Sequence, residues 1–253
     1  KLESLKGQII DLYLDKKIRK LFIGTFLRGI MIYDMNTKSV IRPEQNLKDI
    51  SITRFRPLND KELLIATDGG GVHKIDVDTY QITPEIVADY NSNNGMNGNS
   101  INDIFVDDEE RVWLANYPIG IPLQNNRYTG YKWIKHSIGN KQSLINDQVN
   151  AIIEDRDGDL WFATNNGISF LNSKTGQWRS VLSSFEESQG NKSHIFLTVC
   201  EVAPGIIWAG GYSSGAYQID KKTFSVSYFM PPLYTHSNKR PDKYIRDIRT
   251  DLQ

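Results

Sequence analysis

One cysteine, Cys200, stands in 253 residues. That excludes an intrachain disulfide and any cysteine-rich metal site. Charge of one sign is lacking too: 30 basic and 30 acidic residues cancel, leaving no net field to draw in nucleic acid or an anionic membrane. No apolar run approaches the roughly 18 residues of a membrane span. The start at Lys1 carries no signal-peptide pattern, and a chain opening on Lys rather than Met is expected to be an excised or processed piece. A Gly-x-Ser-x-Gly elbow, a Walker loop and a dinucleotide fingerprint are all missing. The run Gly69-Gly70-Gly71 falls in a hairpin turn, so it does not cradle phosphate.

What is present is repetition. From Asn146 to Trp178 the pattern reads as four short strands: Val149–Glu154, Leu160–Thr164, Ile168–Leu171 and Gln177–Val181. Asp157-Gly158 is a dipeptide favoured in two-residue hairpin turns, and Asn165-Asn166-Gly167 supplies residues that tolerate positive φ. Strand starts at Ile10, Ile52, Ile101, Val149, Leu197 and Ile245 lie 42, 49, 48, 48 and 48 residues apart. A period of this length with four strands per unit predicts the blades of an all-β propeller.

Second strands share an ending: Phe22-Ile23-Gly24-Thr25, Leu64-Ile65-Ala66-Thr67, Trp113-Leu114-Ala115-Asn116, Trp161-Phe162-Ala163-Thr164 and Ile207-Trp208-Ala209-Gly210. The small residue suits a blade that tapers toward a crowded axis. Gly29, Gly71, Gly120, Gly167 and Gly215 open the third strands. Residues 1–253 are thus expected to be one propeller domain or a fragment of one. Five blades start near 10, 52, 101, 149 and 197, and residues 244–253 provide the first strand of a further blade. A repeat array that stops mid-blade leaves an apolar face uncovered, which predicts truncation of a larger propeller of about seven blades. A five-bladed ring closed by the last strand is the alternative.

The unit Asn-Asp-x-Val-x-Ala-Ile-x-x-Asp-x-x-Gly-x-Leu-Trp-x-Ala-Thr-x-x-Gly-Ile, at Asn146–Ile168, resembles the two-component-regulator propeller repeat. The blades at Ile10 and Ile101 follow it fairly. Those at Ile52 and Leu197 depart from it, with Asn59-Asp60-Lys61 and Ala203-Pro204-Gly205 in place of Asp-x-x-Gly. The resemblance implies the periplasmic, extracytoplasmic sensor of a Bacteroidetes hybrid histidine kinase, often tied to glycan use. Such sensors carry two propellers, an immunoglobulin-like domain, a membrane helix, a kinase and a regulator. It also implies a homodimer in the full-length protein, and a fragment that is itself no enzyme, contacts no membrane and needs no cofactor.

Turns between second and third strands share a face with the blade-to-blade crossovers, which are long: 88–100, 135–147, 182–195 and 230–243. Long loops on a rigid scaffold are where binding concentrates. Phe26, Tyr117 and Tyr212 put aromatic rings in these turns, and Arg28, Asp68, Asn165 and Asn166 add hydrogen-bonding groups. Together they make candidate ligand contacts for an oligosaccharide, which offers an apolar ring face and hydroxyl edges. The plainer reading is that the rings cover loops or meet a neighbouring domain.

Other chemistry is weakly signalled. His136, His194 and His236 lie in three successive crossovers without the close spacing of zinc ligands. Asp155, Asp157 and Asp159 imitate a calcium loop, but Asn166 stands where its twelfth-position Glu belongs; the acidic residues read as hairpin turn. A polysaccharide lyase or hydrolase and a protein-interaction scaffold remain the alternatives to a sensor, and no carboxylate pair is singled out for glycoside hydrolysis.

Overall fold

The computed structural model describes residues 8–45, 47–88, 96–124, 131–183, 194–212, 214–229 and 244–250. Among them there is no helix. Twenty strands form five four-stranded antiparallel sheets, each pairing in chain order. The first is β1 (Ile9–Asp15), β2 (Lys20–Thr25), β3 (Ile30–Asp34) and β4 (Ser39–Ile41). The second is β5 (Ser51–Pro57), β6 (Glu62–Asp68), β7 (Val72–Asp76) and β8 (Ile82–Ile86). The third is β9 (Ile101–Val106), β10 (Val112–Asn116), β11 (Ile121–Gln124) and β12 (Tyr131–Ile134). The fourth is β13 (Val149–Glu154), β14 (Leu160–Thr164), β15 (Gly167–Leu171) and β16 (Trp178–Val181). The fifth is β17 (Phe196–Ala203), β18 (Ile206–Gly211), β19 (Gly215–Asp220) and β20 (Val226–Phe229). These are the expected propeller blades. They fall into two compact units, residues 1–133 and 134–253.

Within each unit, neighbouring blades stack through side chains that alternate along their strands. In the first unit, Phe22, Ile30 and Ile32 of the first blade meet Ile52, Phe55, Leu63, Ile65 and Ile75 of the second. The intervening residues of β6, Leu64 and Ala66, turn the other way and pack on Ile101, Ile104, Val112 and Leu114 of the third. A strand buried on both faces has no polar side to show, which is why the second strands read as unbroken apolar runs. In the second unit Trp161, Ala163, Ile168 and Phe170 of the fourth blade pack on Phe196, Val199, Ile207, Ala209 and Tyr217 of the fifth.

Cross-strand pairing corrects the repeat register at two blades. A β-bulge near the start of every inner strand places one unpaired residue between two ladder partners: Ile9/Asp11, Ile52/Arg54, Val149/Ala151 and Phe196/Thr198 bracket it in four blades. In the third blade Ile101 and Asp103 bracket it in the same way, pairing with Asn116 and Ala115. Equivalent starts are therefore Ile9, Ile52, Ile101, Val149 and Phe196, not Ile10 and Leu197. Gly210, opposite Thr198, replaces Ala209 as the partner of Ala163 in the motif. An apolar residue on either side of a bulge makes a one-residue slip invisible in the sequence.

The small residue has the steric role expected of it. A Cβ on Gly24 would come within 2.6 Å of Ile52 Cγ2, and one on Gly210 within 2.5 Å of Ile245 Cγ2. Ile245 thus takes on the fifth blade the seat that Ile52 takes on the first. Residues 244–250 form no strand of their own, yet the Ile245 N–H donates to the Gly211 carbonyl at 3.1 Å. Residues 251–253 of the expected further strand lie outside the described residues.

The first turn of the fourth blade differs from the two-residue form. Asp155 N–H donates to Asp159 O and Gly158 N–H to Asp155 O, both at 2.9 Å. Only Gly158 takes positive φ, at 84°. This is a three-residue loop, a turn followed by one left-handed residue. Asp107 to Arg111 repeats it, with Glu110 at φ 58°.

Candidate functional site

The repeat motif organises the end of each blade where the second-to-third turn lies. Thr25, Thr67 and Thr164 are buried, and their hydroxyls donate to the carbonyls of Gly29, Gly71 and Gly167 at 2.7, 2.8 and 2.8 Å. The five opening glycines all adopt positive φ, between 70° and 113°, a region that side chains resist. Thr and Gly together lock the turn in these three blades, and Asn116 and Gly211 hold the Thr position in the other two, so the residue just after it is presented at a repeated place.

That residue is Phe26, Asp68, Tyr117, Asn165 or Tyr212. Four of these donate their backbone N–H to the residue before the inner strand: Phe26 to Gln8 O, Tyr117 to Ser100 O, Asn165 to Gln148 O and Tyr212 to Ile195 O, at 2.8–3.0 Å. In the second blade Asp68 pairs with Ser51 in the ladder instead.

In the first unit Phe26 is 49% exposed and Tyr117 38%. Arg28 is bridged to Lys48. Asp68 accepts from the Ser100 hydroxyl, and the Ser100 carbonyl accepts from Tyr117 N–H. Ser100 therefore brings Asp68 and Tyr117 together. Tyr117 leads through a cis peptide bond into Pro118.

In the second unit Tyr212 is 51% exposed. Asn165 is occupied internally: its Nδ2 donates to Gln148 Oε1 and its Oδ1 accepts from Asn150 Nδ2, both at 2.8 Å. Asn150 also donates to Phe196 O at 2.7 Å, so this amide chain stitches the fourth blade to the fifth. Asn166 gives its N–H to Thr164 Oγ1. Tyr244, which sequence reading passed over, meets Tyr212 with ring centroids 5.4 Å apart. Its place immediately before Ile245, the start of a further repeat, was the available signal.

The acidic turn is a scaffold. Asp155 Oδ1 accepts from the N–H groups of Asp157 and Asp159, and Oδ2 from Trp161 Nε1 at 2.8 Å. Lys221 Nζ lies 2.7, 2.8 and 2.8 Å from Asp155, Asp157 and Asp159. Burial pulls the Lys221 ammonium down, but its hydrogen bonds to the three carboxylates together more than offset this and hold it well above the usual lysine range. Asp107 repeats the arrangement with Trp113 Nε1 at 2.8 Å and Arg111 Nε at 2.6 Å. Burial pushes the Asp107 carboxyl up, but these donors more than offset it and hold it below the ordinary range. The Asp-x-x-Gly-x-Leu-Trp signature is thus an aspartate capping its own loop and the indole six residues on.

Of the loop histidines, His136 Nδ1 faces Leu144 O at 2.8 Å and His194 Nδ1 faces Leu182 O at 3.1 Å. His236 lies outside the described residues. A charged row unforeseen in the sequence crosses the inner strands of the first unit. Asp11, Arg54 and Asp103 follow the bulge in three successive blades. Arg54 Nε stands 2.8 Å from Asp103 Oδ1, and its Nη1 3.4 Å from Asp11 Oδ1.

Residues 143–166 match the family model described as Two component regulator propeller, so the resemblance is borne out on that stretch. Among solved structures, the chain is similar to the extracellular domain of BT3049 from B. thetaiotaomicron, a protein assigned to the hybrid two component systems. The TM-score is 0.70 at 15% identity, covering 95% of this chain and 31% of that one. A chain of the mitotic checkpoint complex matches with TM-score 0.59 and 12% identity, covering 87% of this chain and 64% of that one. Identities this low establish a shared fold. This chain spans about a third of the length of the BT3049 chain. Comparison with curated proteins gives no match.

Proposed function

We propose that this chain belongs to the extracytoplasmic, periplasmic part of a hybrid two-component sensor, and that it is a non-catalytic module that binds a glycan. The observation carrying the glycan reading is the repeated turn position. Three of its five occupants, Phe26, Tyr117 and Tyr212, are aromatic rings left at least 38% exposed, although apolar surface is favoured inside. In the first unit Tyr117 is fastened to Ser100, whose hydroxyl donates to Asp68, and an aromatic ring with such hydrogen-bonding groups suits the apolar face and hydroxyl edges of a sugar. The sensor reading is supported by the repeat match and by the fold shared with the BT3049 extracellular domain. Binding would be passed on as a change in homodimer geometry through domains outside this chain, where the histidine kinase itself would lie.

The test is isothermal titration against plant, host and microbial oligosaccharides, with chemical analysis of every mixture afterwards. Saturable heat without product, weakened by Tyr117→Ala, is expected. New reducing ends or unsaturated sugars would instead establish a propeller hydrolase or lyase. Silence throughout the panel would point to a protein partner.

A further inference from the structure

We infer that Tyr212 and Tyr244 form an aromatic corner on the second unit that receives the terminal pyranose of a glycan. The inference rests on the glycan reading above and gives that reading a subsite.

Both rings are carried on backbone that is already fastened. Tyr212 opens the turn between β18 and β19, and its N–H is held by Ile195 O at 2.8 Å. Tyr244 precedes Ile245, whose N–H is held by Gly211 O at 3.1 Å and whose side chain fills the space over Gly210. The first unit has a polar version of the same juxtaposition. There Asp68 opens the turn, and Ser100 stands just before the next inner strand and donates its hydroxyl to it. The repeat therefore brings these two positions together, and the side chains placed there decide what the end of the blade presents: a carboxylate and a hydroxyl in one case, two tyrosines in the other.

The tyrosines lie at 82° to each other, yet 51% of Tyr212 and 43% of Tyr244 remain exposed. An edge-to-face pair satisfies the ring quadrupoles and sets the two ring planes at right angles, with part of each residue still exposed. A pyranose in β-gluco or β-galacto configuration lays its C–H-rich face on one plane and sets its edge against the other. A polymer running straight across would meet the second ring as a wall, so the corner selects a chain end. Because both backbones are held beforehand, little ordering opposes binding.

The test titrates the 253-residue chain with tetrasaccharides of cellulose, β-1,4-galactan, xylan and chitin and with N-acetyllactosamine, following the aromatic resonances of the tyrosines. At least one sugar is expected to shift Tyr212 and Tyr244 saturably. Tyr212→Ala and Tyr244→Ala should each weaken it tenfold or more, while Tyr244→Phe, which keeps the ring, stays within twofold. Circular dichroism of each variant should match the parent chain. Unchanged affinity in both alanine variants, with loss in Tyr117→Ala, overturns the corner and leaves the glycan reading standing on the first unit. Equal affinity for a sugar whose non-reducing end is joined to a longer chain overturns the selection of chain ends. No tyrosine shift with any of these sugars overturns the corner, and the broader oligosaccharide titration then decides the glycan reading separately.

Discussion

Lys221 of the fifth blade places its ammonium 2.7 Å from Asp155 Oδ2 of the fourth, with Asp157 and Asp159 at 2.8 Å on either side. The acidic turn that imitates a calcium loop thus faces a covalently attached cation. Its location follows from a second turn motif, Asp/Asn-x-x-Thr, which joins third and fourth strands. Asp76, Asn172 and Asp220 each accept from the N–H and the hydroxyl of the Thr three residues on. The second residue of that motif is Val77 in the second blade, packed with Ile18 of the first, and Lys221 in the fifth. The isoleucine of one turn is met by valine, and the acidic turn by lysine.

Replacing Lys221 with Met should therefore be costly. The Lys221 side chain is 13% exposed and that of Asp155 fully buried, and a buried carboxylate left without its partner costs about 3–5 kcal/mol. Asp157, largely exposed, contributes little of this. Lys222→Met, on the adjacent exposed residue, should stay within about 0.5 kcal/mol. Denaturant unfolding of the two variants checks the contrast. Equal effects would mean that the Lys221 contacts stabilise nothing.

Arg54 makes a parallel case in the first unit. Arg54→Met takes from Asp11 and Asp103, whose side chains are 2% and 1% exposed, the cation they share, leaving Asp103 the more distant Arg56 at 3.6 Å, and should cost about 3–5 kcal/mol. In an Asp103→Asn background the same change should cost distinctly less, because one of the buried charges is already gone. A double-mutant cycle measures the difference. Strict additivity would show that Arg54 and Asp103 do not interact.

His73 should give the fold a pH dependence. Its ring is 9% exposed, its Nδ1 is buried without a hydrogen-bond partner, and burial lowers its pKa from 6.5. The neutral ring is the form that fits. At pH above 6.5 both folded and unfolded states hold it neutral, so its contribution is complete there. As pH falls, the unfolded chain takes up the proton first, and stability is lost until the folded-state pKa is passed. His73→Leu should flatten the melting temperature between about pH 7 and 5 relative to the parent chain. Parallel curves would show that His73 is accommodated as the imidazolium.

Two glycines with similar backbones should respond differently to alanine. Gly167 has φ 102°, and a Cβ there would lie 2.8 Å from Val181 O and 3.0 Å from Leu182 O. Gly158 has φ 84°, with nothing nearer than Glu154 Oε1 at 3.6 Å. Gly158→Ala should cost roughly 1–2 kcal/mol, for the left-handed backbone alone. Gly167→Ala should cost clearly more, since backbone oxygens cannot step aside. Thermal unfolding of the two variants decides it, and equal losses would assign the whole cost to φ.

The strands, their order and their length were legible in the residues because each depends on neighbours. Val149–Glu154 and Leu160–Thr164 form where the apolar runs placed them. The opening glycines mark the third strands because few other residues take that backbone. The one-residue slip at Ile9 and Phe196 was hidden, since a bulge decides which of two adjacent apolar residues turns inward. Asn165 looked like a turn residue free to meet a ligand. Its two hydrogen bonds to Gln148 and Asn150 exist only once two segments meet.

By itself, then, the sequence determined the repeat, the all-β blade and the turns, which are settled over a few bonds by backbone preference and a period of two. Only the tertiary structure decided the pairings Lys221–Asp155, Arg54–Asp103 and Tyr212–Tyr244. Their partners are separated by about 30 to 70 residues along the chain; the first two pairs are brought together by the stacking of one buried blade face on another and the third by the seating of Ile245 over Gly210, contacts that no local pattern encodes.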